Sequence, residues 1–176
     1  MKIFWTVVIV FLVLIIGGII FIYSGIYDVS AAKPENGFNT WLFSTVMDHS
    51  VARHAKGIVA PQLDDNKLIE EGFEHYSKMC VGCHGAPGVE PGRTSRNFNP
   101  QPPNLAEAVG DQSDANLFWI IKNGIKMTGM PGYGSTHSDD EIWHIVAFVR
   151  KLPKMDPQQY QQYKNLYTEP MEKEKD

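Results

Sequence analysis

Apolar positions are spread unevenly along the 176-residue chain. Residues 3–23 form an unbroken run with no charge and no proline. As a helix rising 1.5 Å per residue, this run would reach ~31 Å, the thickness of the hydrocarbon layer of a bilayer. Helical geometry would also satisfy every backbone amide internally, the condition for crossing lipid. Trp5 near one end, and Tyr23 and Tyr27 near the other, suit the two membrane interfaces. Gly17 and Gly18 would let another helix approach closely. A cleaved leader is the competing reading, with Val29-Ser30-Ala31 as its small-residue site. The run is longer than the ~7–15 apolar residues of a leader and ends well before Ala31, which favours a retained anchor. Lys2 is the only charged side chain before the run and Asp28 the first after it, so the positive-inside rule puts the N-terminus in the cytoplasm.

Beyond residue 27 the pattern becomes helical and interrupted. Residues 39–56, with Trp41, Leu42, Phe43, Val46, Met47 and Val51, predict a partly amphipathic helix. It could rest on the membrane, meet a partner subunit or pack on the rest of the chain. Asp64 or Asp65 can cap a helix over 65–79, in which Ile69, Gly72, Phe73, Tyr76 and Cys80 share one face. Gly72 costs this helix stability relative to alanine, which points to a packing reason. Residues 85–103 are rich in Gly, Pro and Asn, carry Arg93 and Arg96, and read as a loop. Ser113 can cap a helix over 114–123, stopped by Gly124, with Leu117, Ile120 and Ile121 inward and Trp119 over the core or a ligand. Ser138 and Glu141 form a capping box for a helix to Lys151, with Ile142, Ile145, Val146 and Val149 as its stripe and Trp143 as additional packing. Residues 155–176 are polar and predict a short helix followed by a frayed tail. The predicted organisation is therefore an anchor at 1–27, a linker with an amphipathic helix at 28–61, a compact domain at 62–154 and a polar tail at 155–176.

Composition narrows the classes. A 43% apolar content excludes wholesale disorder. Sixteen basic against 20 acidic residues give a net charge of −4, with no basic excess for nucleic acid. Two cysteines exclude a disulfide-dense scaffold and a four-cysteine zinc ribbon.

Both cysteines fall in Cys80-Val81-Gly82-Cys83-His84, the C-x-x-C-H signature of c-type haem attachment. Each thiol adds to one vinyl group to form a thioether, and the two-residue spacer lets both sulfurs reach one macrocycle. The histidine that follows reaches the iron as proximal ligand. Gly82 adds no side chain where the chain must lie close to the haem edge. A redox cysteine pair expects a βαβ context that is not visible, and a zinc site lacks further cysteines. One motif implies one covalent haem c. A soft thioether suits the sixth iron position, and two methionines compete in the loop Met127-Thr128-Gly129-Met130-Pro131-Gly132-Tyr133-Gly134. Met127 reads better as a gap-filling core residue. His49, His54, His75, His137 and His144 could supply a second imidazole, His137 most readily because it follows this loop.

Over about residues 65–153 the chain resembles the monohaem class I cytochrome c family. The resemblance implies an all-α class I cytochrome c fold, here behind an N-terminal transmembrane helix, with the haem outside the cytoplasmic membrane. It implies Met130, just before a proline, as the distal ligand, so His84 and Met130 would hold the iron. Pro103-Asn104-Leu105 resembles a family motif whose proline carbonyl accepts the Nδ1–H of the proximal histidine, adding Pro103 and Leu105 to the haem-binding residues. Gly72 and Tyr76, and Ile145 and Phe148, match family positions at the crossing of the first and last helices.

The function these expectations describe is a single-pass inner-membrane electron carrier, not an enzyme, with its haem domain in the periplasm or at the cell exterior. Its partners would be the membrane and redox proteins: a quinol-oxidising complex, a dehydrogenase or a terminal oxidase. The alternatives are an integral subunit of a larger respiratory complex, and a gas-sensing or catalytic haem with a labile Met130.

Overall fold

A computed structural model describes residues 1–33 and 37–168. They fall into two compact units, divided after Lys33. The described residues are helical and contain no strand, only an isolated bridge between Ala86 and Val89. The expected all-α class is what is found.

The first unit is one helix, α1 (Lys2–Tyr23), with a mean hydropathy of 3.0 over its most apolar stretch and none of that stretch buried. By length and composition it can cross a membrane.

The second unit begins with α2 (Gly37–His54), two residues earlier at each end than the sequence pattern suggests. Its last turn packs on the body of the unit. Val51 and the following Ala55 are buried, and the His54 ring lies 5.5 Å from that of Trp119. Of the three expected roles for this segment, packing on the rest of the chain is the one seen, and only for that end. Residues 37–61 belong to the second compact unit, with burial confined to Val51 and Ala55.

α3 (Asn66–Met79) starts where Asp65 accepts a hydrogen bond from the Lys67 amide at 2.9 Å. The one-turn helix α4 (Val81–His84) follows directly. A 3₁₀ turn at Ser95–Asn97 interrupts the glycine-proline loop, and α5 (Leu105–Ala108) opens on the Asn104 cap. α6 (Asp114–Asn123) has the expected Ser113 cap and stops at Gly124. α7 (Asp139–Val149) opens on the Ser138–Glu141 capping box, both halves of which are formed. It ends two residues before the expected Lys151. The chain continues as a 3₁₀ turn at Leu152–Lys154, with Pro153 in its first turn.

The core forms where α3 crosses α7. Phe73, Tyr76, Ile145 and Phe148 are fully buried there, with the Phe148 ring 5.3 Å from Phe73 and 5.2 Å from Tyr76. Gly72 explains how close the crossing is. A Cβ at this position would overlap the His144 carbonyl and come within 2.9 Å of the Phe148 Cβ. Trp143 stacks on Phe118 at 4.3 Å and ties α7 to α6. Arg150 closes the far end. It donates to Asp114 at 2.5 Å, to the Val109 carbonyl at 2.7 Å and to the Gln112 carbonyl, holding the loop between α5 and α6 against α7.

Packing does not stop at residue 154. α8 (Pro157–Thr168) supplies Tyr160, which is 2% exposed, and the rings of Tyr160 and Tyr163 each lie 5.7 Å from Phe73. This segment is polar in composition, yet its tyrosines cover the outer face of α3. The expected frayed tail at 169–176 lies outside the described residues.

Gly72→Ala measures the crossing. Alanine gains ~1 kcal/mol in helix propensity. Forcing its methyl against a helix backbone costs up to ~3 kcal/mol or more. The packing cost wins, and a net loss of about 2 kcal/mol is expected in denaturant unfolding of the purified protein. A variant as stable as the parent would show that the helices can separate freely.

Candidate functional site

The site is built around the turn that joins α3 to α4. Cys80 is the C-cap of α3 and is 8% exposed, and its carbonyl accepts from the amides of Cys83 at 3.0 Å and His84 at 2.9 Å. One helical turn therefore carries both sulfurs and the imidazole. Both cysteines are free thiols. Burial, with Cys83 adding to it, pushes the Cys80 thiol up to about 12. Gly85 ends the turn with φ +67, and a Cβ there would meet the Val89 carbonyl at 2.6 Å. The sequence reading emphasised Gly82. The conformational demand falls on Gly85, whose carbonyl also accepts from the buried Tyr76 hydroxyl at 2.6 Å.

The loop beyond is fastened to this turn. The Gly82 carbonyl accepts from the Gly92 amide at 2.9 Å and from Ser95 Oγ at 3.0 Å, and Ser95 is 3% exposed. Nothing in the local sequence marks Ser95, because its partner lies 13 residues away.

His84 Nδ1 lies 2.9 Å from the Pro103 carbonyl. A carbonyl only accepts, so Nδ1 carries the proton and Nε2 keeps its lone pair. Burial holds the His84 pKa below its ordinary value, partly offset by this bond. Leu105 is the first residue of α5, where the Asn104 side chain caps the Ala106 amide at 3.0 Å. Pro103 and Leu105 are thus fixed by a cap on one side and by His84 on the other.

The methionine loop is held to the C-terminal end of α6. The amides of Tyr133 and Gly134 donate to the carbonyls of Ile121 at 3.0 Å and Lys122 at 2.9 Å, which α6 itself leaves unpaired. The backbones touch so closely that a Cβ on Gly124 would meet Met130 O at 2.7 Å, and one on Gly132 would meet Asn123 O at 2.7 Å. Gly129 faces the Phe98 ring in the same way.

Within this loop the two methionines differ. Met130 is half-buried against the core, and Thr128 Oγ1 accepts from its amide at 3.1 Å. Met127 is 92% exposed with φ +64. Core packing, the role expected of Met127, is therefore not what it does. Ile125 accepts from the Thr128 amide at 3.3 Å and donates to the Met130 carbonyl at 3.2 Å, which leaves Met127 at the outer corner of a tight turn. Tyr133 is an addition that sequence reasoning missed. Burial raises its phenol, with Cys80 and Cys83 adding to the effect, and the side chain packs partly buried against the core. Its position in the same glycine loop was the available signal.

His75, His137 and His144 are engaged with other groups. His144 pairs with Glu71 at 2.9 Å across the α3–α7 crossing. His75 lies 4.0 Å from Glu141 and its ring 5.3 Å from that of His137. No cluster of His, Cys, Asp and Glu suited to a metal ion exists among the described residues.

Residues 67–149 match the family described as cytochrome C oxidase, cbb3-type, subunit III. This stretch is a cytochrome c domain. Over 134 residues the chain is also 23% identical to a quinohemoprotein alcohol dehydrogenase of Comamonas testosteroni, a match covering 73% of this chain and 18% of that protein. The chain thus spans less than a fifth of the length of this relative. A cytochrome c domain carries haem c and moves electrons. The donor set fits that group: two unpaired thiols on one turn, and beside them an imidazole whose second nitrogen is already occupied.

Proposed function

We propose that the protein is a membrane-tethered electron carrier with one covalent haem c, bound through Cys80 and Cys83 and ligated by His84 and Met130. The observation that carries this reading is the 2.9 Å bond between His84 and the Pro103 carbonyl. It selects the tautomer with a free Nε2, orients the ring and raises its strength as a ligand. Haem c supplies reversible one-electron chemistry at iron. The chain's own part would be to hold the group through Cys80, Cys83, His84 and Met130, to pack Leu105, Tyr133 and the loop at 92–98 around it, and to keep water out. With both axial positions filled, no site remains for a substrate, so electron exchange through the haem edge is the default.

α1 tethers the domain as a single-pass anchor, with Lys2 on the cytoplasmic side and the haem domain in the periplasm or at the cell exterior. The tether raises the effective concentration of membrane-bound partners. A quinol-oxidising complex, a dehydrogenase or a terminal oxidase fits as donor or acceptor. The description of the matching family favours a second reading, in which the chain is a fixed subunit of a respiratory oxidase.

Purification of the tagged protein from mildly solubilised membranes separates the two. A carrier gives a haem-stained band near 19.8 kDa without stoichiometric companions, one haem per chain, and a reduced spectrum unchanged by carbon monoxide. Companions bearing other redox centres in fixed proportion would make it a subunit. A spectrum shifted by carbon monoxide would instead mark an open iron and a sensory or catalytic haem.

A further inference from the structure

α2 divides along its axis more than around it. Residues 37–47 hold no charged side chain, and the titratable groups of the helix, Asp48, His49, Arg53 and His54, all follow them. The charged end is the one that packs on the cytochrome c domain, through Val51 and the contact of His54 with Trp119. The uncharged end presents Phe38, Trp41, Leu42, Phe43 and Val46 at 36–66% exposure. The Phe38 and Trp41 rings lie 5.9 Å apart.

An amphipathic helix with a lateral apolar stripe lies flat in a membrane interface. A helix that is uncharged and aromatic-rich at one end and charged at the other suits a boundary layer, where its large apolar side chains enter the acyl region while Asn39, Thr40, Ser44 and Thr45 reach headgroups. A contiguous exposed patch of this kind marks a surface that something covers.

Chain length and composition identify the cover. Thirteen residues, 24–36, separate α1 from α2. They reach at most ~45 Å when fully extended. If α1 spans the bilayer, as the proposed function holds, the start of α2 stays within ~45 Å of the end of that span. Trp41 is of the kind that sits at the headgroup boundary, and Phe38, Leu42 and Phe43 are of the kind that interfacial helices bury beneath it. We propose that the N-terminal half of α2 inserts into the headgroup–acyl boundary of the phospholipid bilayer, giving the cytochrome c domain a membrane attachment of its own.

Because haem attachment consumes both native thiols, one introduced cysteine in the full-length holoprotein takes a single nitroxide label. Phe43→Cys, Val46→Cys, Arg53→Cys and Ile16→Cys would be compared in vesicles of phosphatidylethanolamine and phosphatidylglycerol. Relaxation by oxygen, which partitions into lipid, is read against relaxation by a water-soluble nickel chelate. The labels at 43 and 46 are expected to show an oxygen-to-nickel ratio several-fold above that at 53. Equal ratios at 43, 46 and 53, with a lipid-buried label at 16, would overturn the insertion of α2 while leaving the anchor intact. Shielding of 43 and 46 from both reagents would also overturn it, since protein and not lipid would cover the patch. A water-exposed label at 16 would refute the anchor, and lipid contact at 43 would then still uphold the insertion of α2.

Discussion

His84→Ala is expected to abolish accumulation of haem-loaded protein. The loss of the hydrogen bond to Pro103 is the small part of the effect, ~1–3 kcal/mol for a carbonyl left without its donor. The large part is the loss of the proximal ligand, around which the turn at Cys80, the loop latched through Ser95 and the methionine loop would close. The check is a membrane fraction probed twice, once for a C-terminal tag and once for covalent haem. Tagged chain without haem stain is the expected outcome. Normal haem content with an unchanged spectrum would remove His84 from the iron.

Met130→Ala is expected to act in a different way. On the proposed assignment covalent attachment would rest on Cys80 and Cys83, so haem content should be retained. The loop backbone should stay in place, because the hydrogen bonds of Tyr133 and Gly134 to α6 do not involve the Met130 side chain. What changes is the sixth ligand. The reduction potential should fall by on the order of a few tenths of a volt, within the ~0.8 V that axial ligation spans. The reduced iron should now bind carbon monoxide. Met127→Ala serves as the comparison, and because Met127 is exposed at a turn corner it should leave both properties unchanged. A potential that drops in the Met127 variant and holds in the Met130 variant would reverse the assignment. Potentiometric titration of both proteins decides it.

Local signals read well in this chain. The caps at Asp65, Ser113 and Ser138 act through residues two or three positions away, so spacing alone reveals them. The attachment motif is equally local. What escaped the sequence reading is set by contacts between distant segments. Ser95 pairs with Gly82 and Arg150 with the loop at 109–114, and no window of a dozen residues contains these pairs. α8 was underweighted for another reason. Its glutamines dominate the composition, while Tyr160, Tyr163 and Tyr167 stand at helical spacing and bury their rings against Phe73. The pairing of His84 with Pro103 spans 19 residues and was legible only through the family resemblance.

The contact of the glycine loop with the end of α6 also sets a clock. The loop backbone is pinned through Gly124, Gly132 and Gly134. If Met130 holds the iron as proposed, its side chain would move there by turns about its own bonds, which take picoseconds to nanoseconds. Escape to a distance requires Tyr133 and Gly134 to leave α6 together, a loop opening that belongs to nanoseconds or longer. If Met130 is the ligand, photodissociation of the reduced protein should thus give a faster recombination phase and a slower one. The slower one would report how often this segment unfastens.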